Sequence, residues 1–343
     1  MYVDPVSDSP ESKQPILKVA INVPLSREFD YLPAADAPVP AAGSRVVVPF
    51  GPRKQVGLVL RHACESSLSP GKIRRCSRVL DEQPVLADPD LRLIRFTSDY
   101  YHHPIGEVVA AALPALLRHG NPLHPVVEMI AITNIGEDID IEALAKRAPK
   151  QAELLETLLD AGGNGCEADH LTDILPNWRR VARSLFQKGL ILRREERGAN
   201  FDETLAPEAE PGPSLNKAQQ AALSALRSTD RFCTYLIEGI TGSGKTEVYL
   251  QRMRDIIDKG KQVLVLAPEI GLTPQLVARL RKRLGIEPAL LHSGLTDNER
   301  LAAWRAARSG AARLVVGTRS AIFTPLANPG PVSYTHLRAH ETT

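Results

Sequence analysis

Residues 239–246 read Gly239-Ile-Thr-Gly-Ser-Gly-Lys-Thr246, a full G-x-x-x-x-G-K-[ST] pattern. Binding a triphosphate needs backbone N–H groups curled around an anion, glycines where a side chain would block the approach, and a helix N-terminus facing the phosphates. Gly239, Thr241, Gly242, Ser243, Gly244, Lys245 and Thr246 are therefore the candidate ATP-binding set. Lys245 is expected to reach the β/γ-phosphates and Thr246 to ligate the Mg²⁺ carried by the nucleotide, which makes these two the candidate catalytic residues. Around the loop the pattern predicts a strand over 235–238, a helix over 245–258, a strand over 262–267, a helix over 274–284 and a strand over 312–316. Strands alternating with helices imply a parallel sheet with right-handed crossovers.

The flanks of the loop bear on what the nucleotide drives. Upstream, Asn216-Lys-Ala-Gln219 suits two roles: Gln219 reading an adenine edge, or a capping box with Asn216 as N-cap. Downstream, Ala267-Pro-Glu-Ile-Gly-Leu-Thr-Pro-Gln275 follows a strand, with Thr273 as expected N-cap and Pro274 at the first helical position. Gly271 in that run lets backbone come close to a phosphodiester. Thr318, Arg319 and Ser320 end another strand with two hydroxyls and a guanidinium, a set suited to holding phosphates without reading bases.

Outside this lobe the 343 residues divide further. Residues 15–120 read as a small β-domain with a helical extension, its strands expected at 17–23, 44–48, 55–60 and 74–80. Residues 125–200 suggest a winged-helix domain of three helices and a final strand. Residues 201–213 carry four carboxylates, three prolines and no cation, which reads as a linker before a lobe over 214–331. The fold class is thus multidomain α/β: small β-domain, winged helix and RecA-like P-loop lobe.

The formal charge of +2 makes no whole-chain case for a polyanionic partner, but the local distribution does. Between Arg45 and Val79 eight Arg or Lys residues face Glu65 alone. Cys64, Cys76, Cys166 and Cys233 stand far apart without ligand spacing, so no zinc site or disulfide framework is expected from them. His102 and His103 have no third ligand at a supporting spacing. No apolar run approaches the ~20 residues of a membrane span, and the first fourteen residues lack the pattern of a signal peptide, so a cytoplasmic, nucleoid-associated protein is expected.

Four runs together, GITGSGKTEVYLQ (239–251), APEIGLTPQ (267–275), LHSGLTDNERLAAW (291–304) and VGTRSAIFTP (316–325), resemble the first motor lobe of the PriA family of replication-restart helicases. VPLSREFDYL (23–32), VVVPFG (46–51) and DYYHHPIGEVVAAALPALLRHG (99–120) are similar to that family's domain for the 3′ end of a leading strand. The resemblance covers residues from about 16 to 331 and implies an ATP- and Mg²⁺-dependent motor unwinding forked DNA with 3′-to-5′ polarity. It also implies partners: forked and single-stranded DNA, primosome proteins, single-stranded DNA-binding protein and the loader of the replicative helicase. Phe29, Asp30, Gly51 and Arg74 match positions that the family uses to pocket the terminal 3′ nucleotide.

After Gly330 the family pattern continues as an apolar strand ending in Asp-Glu-x-His, whose carboxylates complete the Mg²⁺ site. Here the chain reads Pro-Val-Ser-Tyr-Thr-His-Leu-Arg-Ala-His-Glu-Thr-Thr, so residues 332–343 are expected to be a non-native tail on a catalytically incomplete chain. The zinc expected in the parent protein has no ligands in this sequence. Two rivals accompany this reading: a non-catalytic fork-binding module that only holds nucleotide, and a P-loop metabolic kinase, which leaves the 267–275 and 316–325 segments unexplained.

Overall fold

The computed structural model describes residues 15–197, 201, 207–228, 232–240, 242–268 and 274–334. They form two compact units, one holding the described residues up to 123 together with those from 201 onward, the other those between 124 and 197.

The first unit begins with six strands: β1 (Ile16–Ile21), β2 (Phe29–Leu32), β3 (Arg45–Phe50), β4 (Arg53–Ala63), β5 (Arg74–Arg75) and β6 (Arg78–Val79), in sheet order β5-β2-β1-β4-β3-β6. The strand expected over 74–80 is therefore two short pieces on opposite edges of the sheet. Only Cys76 and Ser77 separate them, and their N–H groups donate to Leu32 O and Val47 O respectively, so the sheet closes on itself as a small barrel. Leu17, Val19, Ile21, Tyr31, Val46, Val48 and Val59 fill one side of it. The other side is covered by helices α1 (Asp88–Tyr101), α2 (Ile105–Ala112) and α3 (Ala115–Arg118). Burial on both sides explains why β1 is almost uniformly apolar. Gly106 lets α2 touch β1, since a Cβ there would lie 1.7 Å from Ile21 O. His102 closes α1 in the left-handed conformation (φ 51°), its N–H donating to Ser98 O, and His103 pairs with Glu107 at 3.0 Å.

Arg45 does not contribute to the solvent-facing charge that the local count of eight cations implied. Its side chain is 0% exposed, donating to both oxygens of Asp81 and to the carbonyls of Leu117 and Asn121, so it joins barrel to helices and faces no solvent. Arg61 is paired with Glu28 at 2.6 Å. The exposed cations of the segment are Arg53, Lys54, Lys72, Arg74, Arg75 and Arg78 alongside that pair.

The second unit holds β7 (Val126–Ile132), α4 (Asn134–Glu137), α5 (Ile141–Arg147), α6 (Pro149–Asp160), β8 (Cys166–Glu167), α7 (Ala168–Ile174), α8 (Trp178–Gln187) and β9 (Ile191–Arg197). Leu154, Leu155, Leu158, Leu171, Trp178, Ala182 and Leu185 pack the helices together over the sheet. The sheet order is β8-β7-β9, all antiparallel, so the central strand enters from before the helices, where the sequence suggested only a final strand.

The remainder of the first unit is α9 (Lys217–Arg227), α10 (Lys245–Asp258), β10 (Gln262–Leu266), α11 (Pro274–Leu284), β11 (Ala289–Leu291), α12 (Asp297–Ser309), β12 (Leu314–Gly317) and β13 (Pro329–Tyr334). Its sheet is parallel throughout in the order β11-β12-β10-β13, as strand and helix alternation requires. Two differences from the sequence reading stand out. Residues 232–240 form no strand, and Phe232, Leu236 and Ile240 are more than four-fifths exposed. Residues 329–334 do form one, beside β10, which carries the fold three residues into the segment expected to be foreign. The rest of that tail, 335–343, and residues 202–206 of the linker lie outside the described residues.

Helix α12 is common to barrel and parallel sheet. Leu301 and Trp304 enter the core formed by α1, α2 and β4, while Ala303, Ala306 and Ala307 lie against β11 and β12. The Trp304 indole N–H donates to Ala112 O at 3.0 Å, and the Arg308 guanidinium donates to Val85 O and Pro84 O at 2.8 and 2.7 Å. Trp304→Ala should therefore destabilise the whole first unit by about 3–5 kcal/mol, and urea unfolding followed by separate probes on barrel and parallel sheet should show both midpoints falling together. Loss confined to the parallel-sheet probe would refute the shared core.

Candidate functional site

The phosphate loop is built by Gly242 and Gly244, at φ +77° and +78°, a conformation only glycine adopts without strain. Gly244 is also the N-cap of α10 and has no side chain to offer, so the first-turn N–H groups of a 14-residue helix stay open at the loop. A Cβ on Gly244 would meet Gln219 Nε2 at 2.4 Å, and one on Gly239 would meet Ser243 Oγ at 2.6 Å. The Ser243 hydroxyl is buried with no partner among the described residues. An orphaned donor inside a glycine-lined cradle at a helix N-terminus fits a phosphate group.

Lys245 leans back on the loop, its ammonium donating to Gly239 O at 2.5 Å and Ile240 O at 3.1 Å. Thr246 occupies the second position of α10 and is half-buried. Gln219 shows the capping box in full: its N–H donates to Asn216 Oδ1 and its Oε1 accepts from Asn216 N–H, each at 2.9 Å. Its Nε2 donates to Ser243 O at 3.0 Å, which ties α9 to the phosphate loop. One amide hydrogen and one lone pair of Gln219 are left for an adenine edge. Thr241 lies outside the described residues, as do the 269–273 segment and the expected cap Thr273.

Sequence reasoning passed over Glu247, one turn into α10. Arg283 of α11 donates to both its oxygens at 2.6 and 2.8 Å, and this bidentate bond holds the Glu247 carboxyl below the ordinary carboxylate range. The spacing of 36 residues between partners carried no local signal. The pair fixes the helix after the phosphate loop against the helix after the 267–275 run.

Thr318, Arg319 and Ser320 follow β12, with Thr318 N–H donating to Leu291 O at 3.1 Å. That bond sets them beside the loop 292–296, whose His292 and Ser293 carbonyls accept from Arg300 of α12. Both loops leave the C-terminal ends of parallel strands, where open α/β sheets bind their ligands.

The barrel gathers the other candidates. Phe29 and Asp30 are on β2, and Arg74 on β5 pairs in register with Tyr31. Phe29 meets Phe50 edge-on at 5.2 Å, which brings the Gly51 turn (φ +57°) alongside, and the Arg27 guanidinium lies 4.9 Å from the Phe29 ring centre. The buried Tyr31 hydroxyl donates to Pro49 O at 3.0 Å, and burial pushes the phenol above its ordinary value. Asp30 accepts from Lys18 and Ser66.

Residues 18–114 match the family described as 3′DNA-binding domain (3′BD), and residues 216–338 match the DEAD/DEAH box helicase family. The replication restart protein PriA of Haemophilus influenzae is 37% identical over 321 residues, covering 92% of this chain and 43% of that protein. That of Bacillus subtilis is 32% identical over 375 residues, covering 90% and 46%. Over about nine-tenths of its length the chain is similar to these PriA replication restart proteins. It spans less than half the length of these PriA relatives. Both matched regions, the 3′ DNA-binding domain and the helicase domain, fall in the first unit, joined through α12. No helix among the described residues is long and apolar enough to cross a membrane.

Two outcomes are expected. Lys245→Ala should weaken ATP binding, read by fluorescent-nucleotide titration, by at least about tenfold, the worth of one hydrogen bond to a charged group; fork binding in the same preparation should change by less than about twofold, since the barrel lies elsewhere. Because the Glu247 carboxyl is held low in the folded state, its pair contributes stability above the unfolded carboxylate value of about 4.3 and loses it as pH falls through the folded value. Glu247→Gln should lower the thermal midpoint at pH 7 and flatten its decline between about pH 5 and 3.

Proposed function

We propose that the protein is an ATP-dependent DNA motor of replication restart, which engages a stalled fork through the free 3′ end of the leading strand, moves 3′ to 5′, and promotes primosome assembly. The observation that carries it is the presence of two sites in one compact unit: a glycine cradle whose Ser243 hydroxyl has no partner among the described residues, and a barrel carrying Phe29, Asp30, Gly51 and Arg74. Within the cradle, Lys245 would turn from the loop carbonyls to the β/γ-phosphates, Thr246 would hold Mg²⁺, and Gln219 would meet the adenine. Mg²⁺, when bound with the nucleotide, supplies charge neutralisation at the phosphates. Thr318, Arg319 and Ser320 would grip the phosphodiester backbone of the strand being tracked. In the barrel, Phe29 offers a stacking face, Asp30 an acceptor, the Gly51 turn a close backbone approach and Arg74 a cation for phosphate. The partners fitting this role are forked and single-stranded DNA, primosome proteins, single-stranded DNA-binding protein and the loader of the replicative helicase.

The test is binding by the chain to two forks that differ only at the leading-strand end, 3′-hydroxyl against 3′-phosphate. The hydroxyl fork should bind more tightly, and Asp30→Asn should remove that preference, worth about 1–3 kcal/mol. Equal affinity of the unsubstituted chain for both forks would overturn the reading. ATP turnover with and without forked DNA separates a motor from a module that only holds nucleotide.

A further inference from the structure

The antiparallel register of β1 and β2 sets Lys18 directly across from Asp30. The Lys18 ammonium donates to both carboxylate oxygens, at 2.7 Å to Oδ1 and 2.8 Å to Oδ2. Ser66, in the loop after β4, donates its hydroxyl to Oδ2 and accepts from Leu68 N–H at 3.0 Å. The two ionic side chains are only 15% and 7% exposed. A carboxylate has about four acceptor directions; described residues take three, which leaves the one on Oδ1 open among them.

A buried ion pair of this kind is a weak source of stability, because desolvating both charges offsets most of their attraction and apolar replacements are often as stable. What the pair does supply is a carboxylate whose charge is compensated, whose rotation is blocked and whose remaining acceptor direction is fixed. Ser66 adds a second constraint: its loop runs on into β5, so the bond to Oδ2 sets Asp30 and Arg74 in one frame. A single fixed acceptor selects a donor. A terminal hydroxyl brings a proton to Oδ1, whereas a terminal phosphate brings only further negative charge and acceptor oxygens toward the carboxylate.

We propose that Lys18 and Ser66 are positioning residues for 3′-end recognition, which lock the Asp30 carboxylate so that its one open acceptor direction accepts a terminal hydroxyl and rejects a terminal phosphate. This rests on the reading of Asp30 as the 3′-end acceptor given above. The experiment measures fluorescence anisotropy of the chain with 3′-hydroxyl and 3′-phosphate forks for Lys18→Met, Lys18→Arg, Ser66→Ala and Asp30→Asn, with circular dichroism melts as the folding control. Lys18→Met should lose about tenfold on the hydroxyl fork, matching one charge-assisted hydrogen bond, and less than about twofold on the phosphate fork, where that bond is not made. Ser66→Ala should shift the ratio in the same direction by a smaller factor. Lys18→Arg, which keeps a cation opposite Asp30, should retain most of the preference. If Asp30→Asn leaves the preference intact, the 3′-end reading itself fails. If Asp30→Asn abolishes it while Lys18→Met and Ser66→Ala keep it, the positioning proposal is overturned. Equal losses on both forks in the two variants would also overturn it, by showing that the residues only hold the barrel together. Should Lys18→Met not fold, Ser66→Ala and Lys18→Arg decide by the same ratio.

Discussion

The burial of Trp304 is the constraint on which the architecture of the first unit depends. At 3% exposure, with its only polar atom bonded to Ala112 O, the indole cannot be withdrawn from the barrel's helical layer without opening a cavity and stranding a carbonyl. The opposite face of α12 presents Ala303, Ala306 and Ala307, small enough for the helix to lie close on the parallel sheet. A helix of 13 residues, about 20 Å long, is thereby clamped from both sides. Its first turn is equally fixed: Thr296 and Glu299 form a reciprocal cap, and Arg300 holds the carbonyls of His292 and Ser293. The loop 292–296 is thereby tied to the barrel through α12. Motion of that loop relative to the barrel would have to bend α12 or break the core.

The parallel sheet was legible in the sequence because β10 and β12 are continuous apolar runs, QVLVL and LVVG, buried on both faces. Helix α10 was legible because the glycines before it and Gly260 after it mark both ends. What escaped were features fixed by long-range pairing. The strand β2, FDYL, is short and carries Asp30, and it exists because β1 offers it an edge. Residues from 332 on depart from the family's apolar strand, yet β13 pairs with β10 as an edge strand, where Pro329 and Pro331 can be accommodated. Tyr-Leu-Ile-Glu at 235–238 has the composition of a strand but no neighbour among the described residues, and composition without a partner makes no ladder. The site divides in the same way. Lys245 and the glycines are readable from one contiguous motif, and Phe29, Asp30, Gly51 and Arg74 came from resemblance to a family. Lys18, Ser66 and the Glu247–Arg283 pair become visible only when register and packing bring residues 12 to 36 positions apart into contact.

The basic face of the barrel shows why charge counting needs a structure. Arg45 contributes to the sequence tally as much as Arg53 does, yet its guanidinium is fully desolvated and spends its donors on Asp81 and two carbonyls. A buried cation satisfied in this way has no field to offer a phosphate, while exposed Arg53, Lys54, Lys72, Arg74 and Arg78 keep theirs. The polyanion-facing charge is set by placement, and it gathers on the β3–β4 turn and on the strands that close the barrel.

The phosphate loop is held by bonds that a nucleotide would have to exchange. The Lys245 ammonium satisfies itself on Gly239 and Ile240, and Gln219 stitches α9 to Ser243 O. Releasing the two ammonium bonds costs little in net terms, about 0.5–1.5 kcal/mol each, because phosphate oxygens replace carbonyl oxygens as acceptors. The exchange is favourable since a bond between two ionised groups is roughly twice as strong as one with a neutral acceptor. The Gln219 bond need not break, and the Ser243 hydroxyl, which has no partner among the described residues, would gain one. Anion binding here would therefore draw its driving force from charge and from a donor unsatisfied among the described residues, with the α9 stitch keeping the cradle in shape.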